Sequence, residues 1–257
     1  MRYQVVILGA GNVGHHLAQA YARAGCSVSV WSRTDEHARE TASLCGGKLL
    51  VELAEIPENT QLCIASVSET AMDIVCSQLP DFEGILVHTA GSVPMSVLKP
   101  YKQQYGVIYP LQTFSRTRKP DYGEIPLFIE ASDDSVLQFI REISSGVFRN
   151  IYELDSIRRG YLHLSAVFAC NFANAALMGA QEIAEQHEMN FEFLLPLIRE
   201  TFEKAMADKP DKSQTGPAVR NNRLITRKHA EMLQEKPVLQ NMYNAITNYI
   251  LERFKHE

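Results

Sequence analysis

The run Gly9-Ala10-Gly11-Asn12-Val13-Gly14 places three glycines at GxGxxG spacing directly after an apolar stretch. The first glycine permits a tight turn, the second lets backbone approach a pyrophosphate, and the third allows close helix–strand packing. Asn12 and Val13 then open a helix whose free N–H groups suit phosphate oxygens. The competing reading is a glycine-rich turn with no ligand. The segment Val30-Trp31-Ser32-Arg33-Thr34 ends the next apolar run. NAD-binding versions put a carboxylate here to accept from the ribose 2′-OH. A hydroxyl at Ser32 and a guanidinium at Arg33, with Thr34 beside them, suit a 2′-phosphate instead. The expected cofactor is therefore NADP.

Ser66-Val67-Ser68 and His88-Thr89-Ala90-Gly91-Ser92 follow two further apolar runs. Ligands of open α/β sheets bind beyond the carboxyl ends of strands. Ser66, Val67, Ser68, Thr89, Ala90 and Gly91 are thus expected to border the nicotinamide half, with plain turn chemistry as the alternative. His88 can equally be a satisfied buried histidine.

A later helical stretch carries Arg158, Arg159, His163, Asn171 and Asn174. On a regular helix His163 and Asn171 lie about 80° apart and about 12 Å along the axis, and Asn174 lies about 20° from His163. They can line one cleft but cannot grip one small carbonyl together. His163 is the expected proton donor, because imidazole titrates near neutrality; Asn171 would hold a polar group. Ala166, Cys170, Ala173, Leu177, Ala180 and Ala184 form a small-residue stripe on the same helix, so tight packing competes with catalysis as its purpose. Thr215-Gly216-Pro217-Ala218-Val219-Arg220 precedes another helical pattern. Free N–H groups and Arg220 there suit an anionic substituent, or Pro217 simply starts a helix. The basic run 116–119 reads mainly as a solvated loop.

The elements that must position these residues follow from periodicity. Short apolar runs at 4–8, 27–31, 62–66 and 85–88 read as parallel strands buried on both faces. Helical patterns at 13–24, 35–44 and 69–79 alternate with them, and further strands are expected at 107–109, 127–130 and 147–152, with a helix at 134–144. This alternation predicts an α/β fold, a Rossmann-type doubly wound parallel sheet. From residue 155 strand signals disappear and helices are expected at 156–188, 191–207, 217–234 and 237–254. The expected domains are 1–154, binding the dinucleotide, and 155–257, all helical.

Composition narrows the function. The 257 residues are 46% hydrophobic and 21% charged, as in ordinary globular chains. A net charge of −5 argues against a general nucleic-acid binder. No apolar run is expected to reach the ~20 residues that span a bilayer. An odd set of cysteines without CxxC spacing predicts neither a disulfide framework nor a metal site, and suits a reducing, cytoplasmic compartment.

GAGNVG with WSRT resembles the NADP-binding domain shared by pyrroline-5-carboxylate reductase, deazaflavin-dependent NADP oxidoreductases and the 6-phosphogluconate dehydrogenase superfamily. With 109–114 (YPLQTF), 163–172 (HLSAVFACNF) and 215–217 (TGP), nearly the full length is similar to one branch. That branch joins a Rossmann-like domain to a helical C-terminal domain of unknown function and is labelled an NADP oxidoreductase. Three differences stand out. Tyr109 replaces a frequent histidine, Asn221-Asn222 replaces Gly-Asp, and no lysine between 120 and 203 supplies the Lys-x-x-x-Asn pair of the wider superfamily. The resemblance implies hydride transfer between NADP(H) and a small carbonyl or imine, with the helical domain closing a cleft and forming a homodimer. The alternatives are a non-catalytic NADP-binding sensor or interaction protein and, disfavoured by Ser32-Arg33, an NAD-dependent enzyme acting on a phosphorylated sugar acid.

Overall fold

The computed structural model describes residues 3–255. Strands β1 (Gln4–Leu8), β2 (Ser27–Trp31), β3 (Lys48–Leu49), β4 (Leu62–Ala65), β5 (Ile85–His88), β6 (Tyr105–Pro110), β7 (Leu127–Ala131) and β8 (Ile151–Glu153) form one sheet. Its order is β3-β2-β1-β4-β5-β6-β7-β8. All neighbouring pairs are parallel except β6 and β7. The strand order reverses between β1 and β4, which opens a crevice at the carboxyl edge there.

Strand side chains alternate between two apolar layers. Val5, Ile7, Ile64 and Val87 pack with helices α1 (Asn12–Arg23), α2 (Asp35–Cys45) and α4 (Asp134–Ser145). Val6, Leu8, Cys63 and Leu86 pack with α3 (Glu69–Cys76) on the other face. This is the doubly wound arrangement that apolar runs on both strand faces imply.

The sheet differs from the sequence reading in two places. The strand expected at 147–152 is confined to β8, because Val147 and Phe148 donate their N–H groups back to the Ser144 carbonyl, each at 2.9 Å, and close a turn. The two-residue β3 was not expected; a pair so short carries no periodicity.

Beyond β8 every regular element is helical. Helix α5 (Ser156–Ala166) runs through a π-helical turn (Val167–Phe172) into α6 (Ala173–Gln186). Together they make 31 continuous residues with a window of mean hydropathy 1.3, long and apolar enough to cross a membrane by length and composition. That corrects the expectation that no run approaches spanning length: alanines and scattered polar residues break up the apolar stretch in sequence. Next come α7 (Leu195–Asp208), the short α8 (Pro210–Ser213), α9 (Arg223–Met232) and α10 (Pro237–Arg253). The helix expected at 217–234 begins only at Arg223. The Asn222 side chain caps it by accepting from the Ile225 N–H, and 217–221 form a turn in which Asn222 N–H reaches the Pro217 carbonyl at 2.9 Å.

Helical sequence starts just after residue 154, but the packing divides into two compact units after Asn171. The helix start therefore belongs with the sheet. In the second unit no residue of α7, α9 or α10 is buried.

Candidate functional site

The glycine run connects β1 to α1, and its three glycines do three different things. Gly9 has φ +95°, and a Cβ on it would stand 2.5 Å from the Ser66 carbonyl oxygen. A Cβ on Gly14 would meet the Gly9 carbonyl oxygen at 1.9 Å. Both are held bare by protein contacts. Nothing lies within 4 Å of a Cβ on Gly11, so its bareness serves no internal contact. Gly11 is also the N-cap of α1 and supplies no side-chain cap, which leaves the first-turn N–H groups of Asn12 and Val13 for an anion. The residues fit a dinucleotide pyrophosphate.

Ser32, Arg33 and Thr34 follow β2 at the same edge. Arg33 and Thr34 are exposed, and the Thr34 hydroxyl does not cap α2. The loops after β4 and β5 are tied together: Thr89 donates to the Ser66 hydroxyl at 3.3 Å, and Ser92 donates to the Glu69 carboxylate. The Ala90 N–H donates to Nδ1 of His88 at 3.2 Å. His88 is fully buried. Burial, with the nearby positive charge of Arg159, pushes its pKa down to about 4. Of the two readings of His88, the buried one describes it, although its Nε2 has no partner among the described residues.

Arg159 is the anchor of α5. It is 1% exposed and pairs with Glu130 of β7. It also donates to the Val93 carbonyl at 2.6 Å and the Ser156 hydroxyl at 3.2 Å. One buried guanidinium thus binds the helix start to the sheet and to the loop that carries Thr89–Gly91. One turn further along, His163 lies on that loop: a Cβ on Gly91 would stand 2.6 Å from its Nδ1. The same nitrogen is 3.0 Å from the Tyr109 hydroxyl. His163 is half-buried, while Asn171 is exposed. The π turn rotates each residue by less than a regular helix does, so the ~80° expected between His163 and Asn171 shrinks.

Arg220 belongs to the other unit. It is exposed in the turn ahead of α9, not in the first turn of a helix, so helix N–H groups do not converge with it on an anion.

The partners of three residues escaped the sequence reading. Tyr109 gains its place from the register of β6 and from α5 lying over it. Glu130 is legible only as the partner of Arg159. Arg116, read as solvated, donates to the Ala10 carbonyl at 2.7 Å and pairs with Glu40. Its loop straps α1, with Phe114 stacked on His16 at 5.0 Å. No group of three or more His, Cys, Asp or Glu among the described residues is arranged to hold a metal.

Residues 4–90 match the family described as NADP oxidoreductase coenzyme F420-dependent. Residues 125–250 match the domain of unknown function DUF2520. None of the curated proteins matches the chain. A crystal structure from Bacteroides fragilis, provisionally named an NADP oxidoreductase, is 37% identical, with 98% of each chain covered and a TM-score of 0.89. A Thermotoga maritima protein is 19% identical, with 98% of each chain covered and a TM-score of 0.72. A reductive aminase from Aspergillus terreus, in complex with NADPH and ethyl-5-oxohexanoate, shares the fold at 12% identity and a TM-score of 0.74, with 99% of this chain and 94% of that one covered. The chain belongs to the family of NADP oxidoreductases that join a Rossmann-like domain to the helical domain of unknown function.

Proposed function

We propose that this protein moves a hydride between NADP(H) and a small carbonyl or imine. The observation that carries the reading is a chain of contacts at one sheet edge, Gly9 against Ser66, Ser66 bonded to Thr89 and Gly91 against His163, next to the open Gly11. The reductive aminase of the same fold was solved with NADPH and an oxo ester, which agrees with this substrate class. NADPH supplies the hydride when bound; the chain supplies position and charge. Gly9, Gly11, Asn12, Val13 and Gly14 hold the pyrophosphate. Ser32, Arg33 and Thr34 hold the 2′-phosphate. Ser66, Val67, Ser68, Thr89, Ala90 and Gly91 border the nicotinamide. His163 is the source of the proton, and Asn171 orients a polar group.

The protein works, in this reading, as a homodimer joined through its helical part. Phe193 is 75% exposed, Leu224 79% and Val238 83%, a density of exposed apolar surface that soluble chains cover with a partner. The apolar length of 156–186 is assigned to the same interface, not to lipid. An exposed Cys170 suits a reducing cytoplasm.

The test is a fluorescence titration followed by an acceptor screen. NADPH should bind roughly tenfold tighter than NADH, as a charge-assisted hydrogen bond to the 2′-phosphate is worth roughly 1.5–3 kcal/mol. NADPH should then be consumed with some members of a panel of small aldehydes, ketones and cyclic imines. Equal affinities contradict the assignment of Ser32 and Arg33. Tight binding with no turnover favours the sensor.

A further inference from the structure

Tyr109 sits at the carboxyl end of β6, opposite Phe128 of β7, and only 8% of it is exposed. Its hydroxyl is 3.0 Å from Nδ1 of His163, and the two rings meet edge-on with centroids 6.0 Å apart. Gly91 crowds the same nitrogen. The inner face of the imidazole is therefore covered, by the phenol and by the loop expected to border the nicotinamide. His163 cannot present Nδ1 to a substrate without first losing Tyr109. The phenol already lies where that nitrogen points.

The charged and titratable groups around the pair come from every packed element. Arg159 of α5 is paired with Glu130 of β7, and His88 of β5 is held neutral by burial and by Arg159. Burial raises the Tyr109 pKa, and the positive charge of Arg159 opposes that rise. The phenol therefore keeps its proton at neutral pH, while a transient phenolate would be stabilised by a fixed cation. A proton donor needs both properties.

We propose that Tyr109 is a catalytic residue whose hydroxyl protonates the reacting heteroatom, with His163 restoring the phenol. The proposal rests on the hydride-transfer reading above. As the carbonyl or imine carbon accepts a hydride with its electron pair, the π pair of the C=O or C=N bond moves onto the heteroatom. That atom takes the Tyr109 Oη proton, and the O–H bonding pair stays on Oη. Oη takes the Nδ1 proton of protonated His163, which becomes neutral imidazole. The neutral imidazole keeps its Nε2 proton, and Nδ1 regains its proton from water between turnovers. The balance is one hydride and one proton gained by the substrate, with the proton drawn from solvent.

The test compares full-length wild type with Tyr109→Phe and His163→Gln. With any aldehyde, ketone or cyclic imine that wild type reduces, Tyr109→Phe should lower kcat by roughly 10²–10³ and leave the NADPH Kd unchanged. The alkaline fall in wild-type kcat should vanish from the pH profile of His163→Gln. A second readout is independent of turnover. In NADP⁺-saturated protein with labelled tyrosine and histidine, His163→Gln should shift the Tyr109 ¹³Cζ resonance and Tyr109→Phe should shift the His163 ring resonances. Wild-type kcat in Tyr109→Phe, or a Tyr109 resonance unmoved by His163→Gln, overturns the proposal. A wild type that reduces no acceptor contradicts the hydride-transfer reading, while coupled resonances would still support the Tyr109–His163 relay.

Discussion

Burying His88 beside the loop Thr89–Gly91 ties stability to pH. Its folded pKa of about 4 lies below the ordinary imidazole value, so the unfolded chain binds a proton first. Stability is complete above about pH 6.5 and falls as pH drops towards 4, by about 2 kcal/mol between pH 7.5 and 5. Urea unfolding of wild type and His88→Gln at both pH values isolates this contribution. Wild type should lose about 2 kcal/mol more than the variant over that interval; parallel losses would mean that His88 is not held neutral. The legibility of single residues divides along the same line. The glycine turn at 9–14 could be read because its conformation depends on neighbours in sequence. Tyr109, Glu130 and Arg116 could not, because each acquires its partner from a distant segment: His163, Arg159 and Ala10 respectively.

At the scale of elements, the turn between β1 and α1 makes the sharpest prediction. Gly11→Val adds a side chain where the protein has open space, so far-UV circular dichroism and Tm should match wild type. The same side chain would occupy the pyrophosphate cradle, and NADPH affinity should fall at least tenfold. Normal NADPH binding by a folded variant would place the phosphates elsewhere. Gly14→Ala is the control for the other kind of glycine, since its Cβ meets the Gly9 carbonyl oxygen and should destabilise the fold itself. The strands and the first helices were legible because two-sided burial leaves unbroken apolar runs, such as 85–88, and glycines stop the helices. The turn at 217–221 was not, since Pro217 suits a turn and a first helical position equally well, and the Asn222 cap decides for the later start.

The helices of the second unit leave large apolar side chains exposed. Phe193, Leu224 and Val238 are exposed in helices with no buried residue or in the turn before them. Light scattering of the purified chain without detergent should give a mass near twice the monomer's. A monomer, or a protein recovered only in detergent, would contradict assembly through this surface. Direct hydride transfer from NADPH to the acceptor is tested by isotope transfer. The reaction is run with NADPH deuterated at nicotinamide C4 and an accepted ketone or cyclic imine, and the product is weighed by mass spectrometry. One stereoisomer of the labelled cofactor should deliver deuterium to the product carbon, giving a mass increase of about one unit, and the other none. Oxidation of both labelled cofactors with no deuterium in the product would rule out direct hydride transfer.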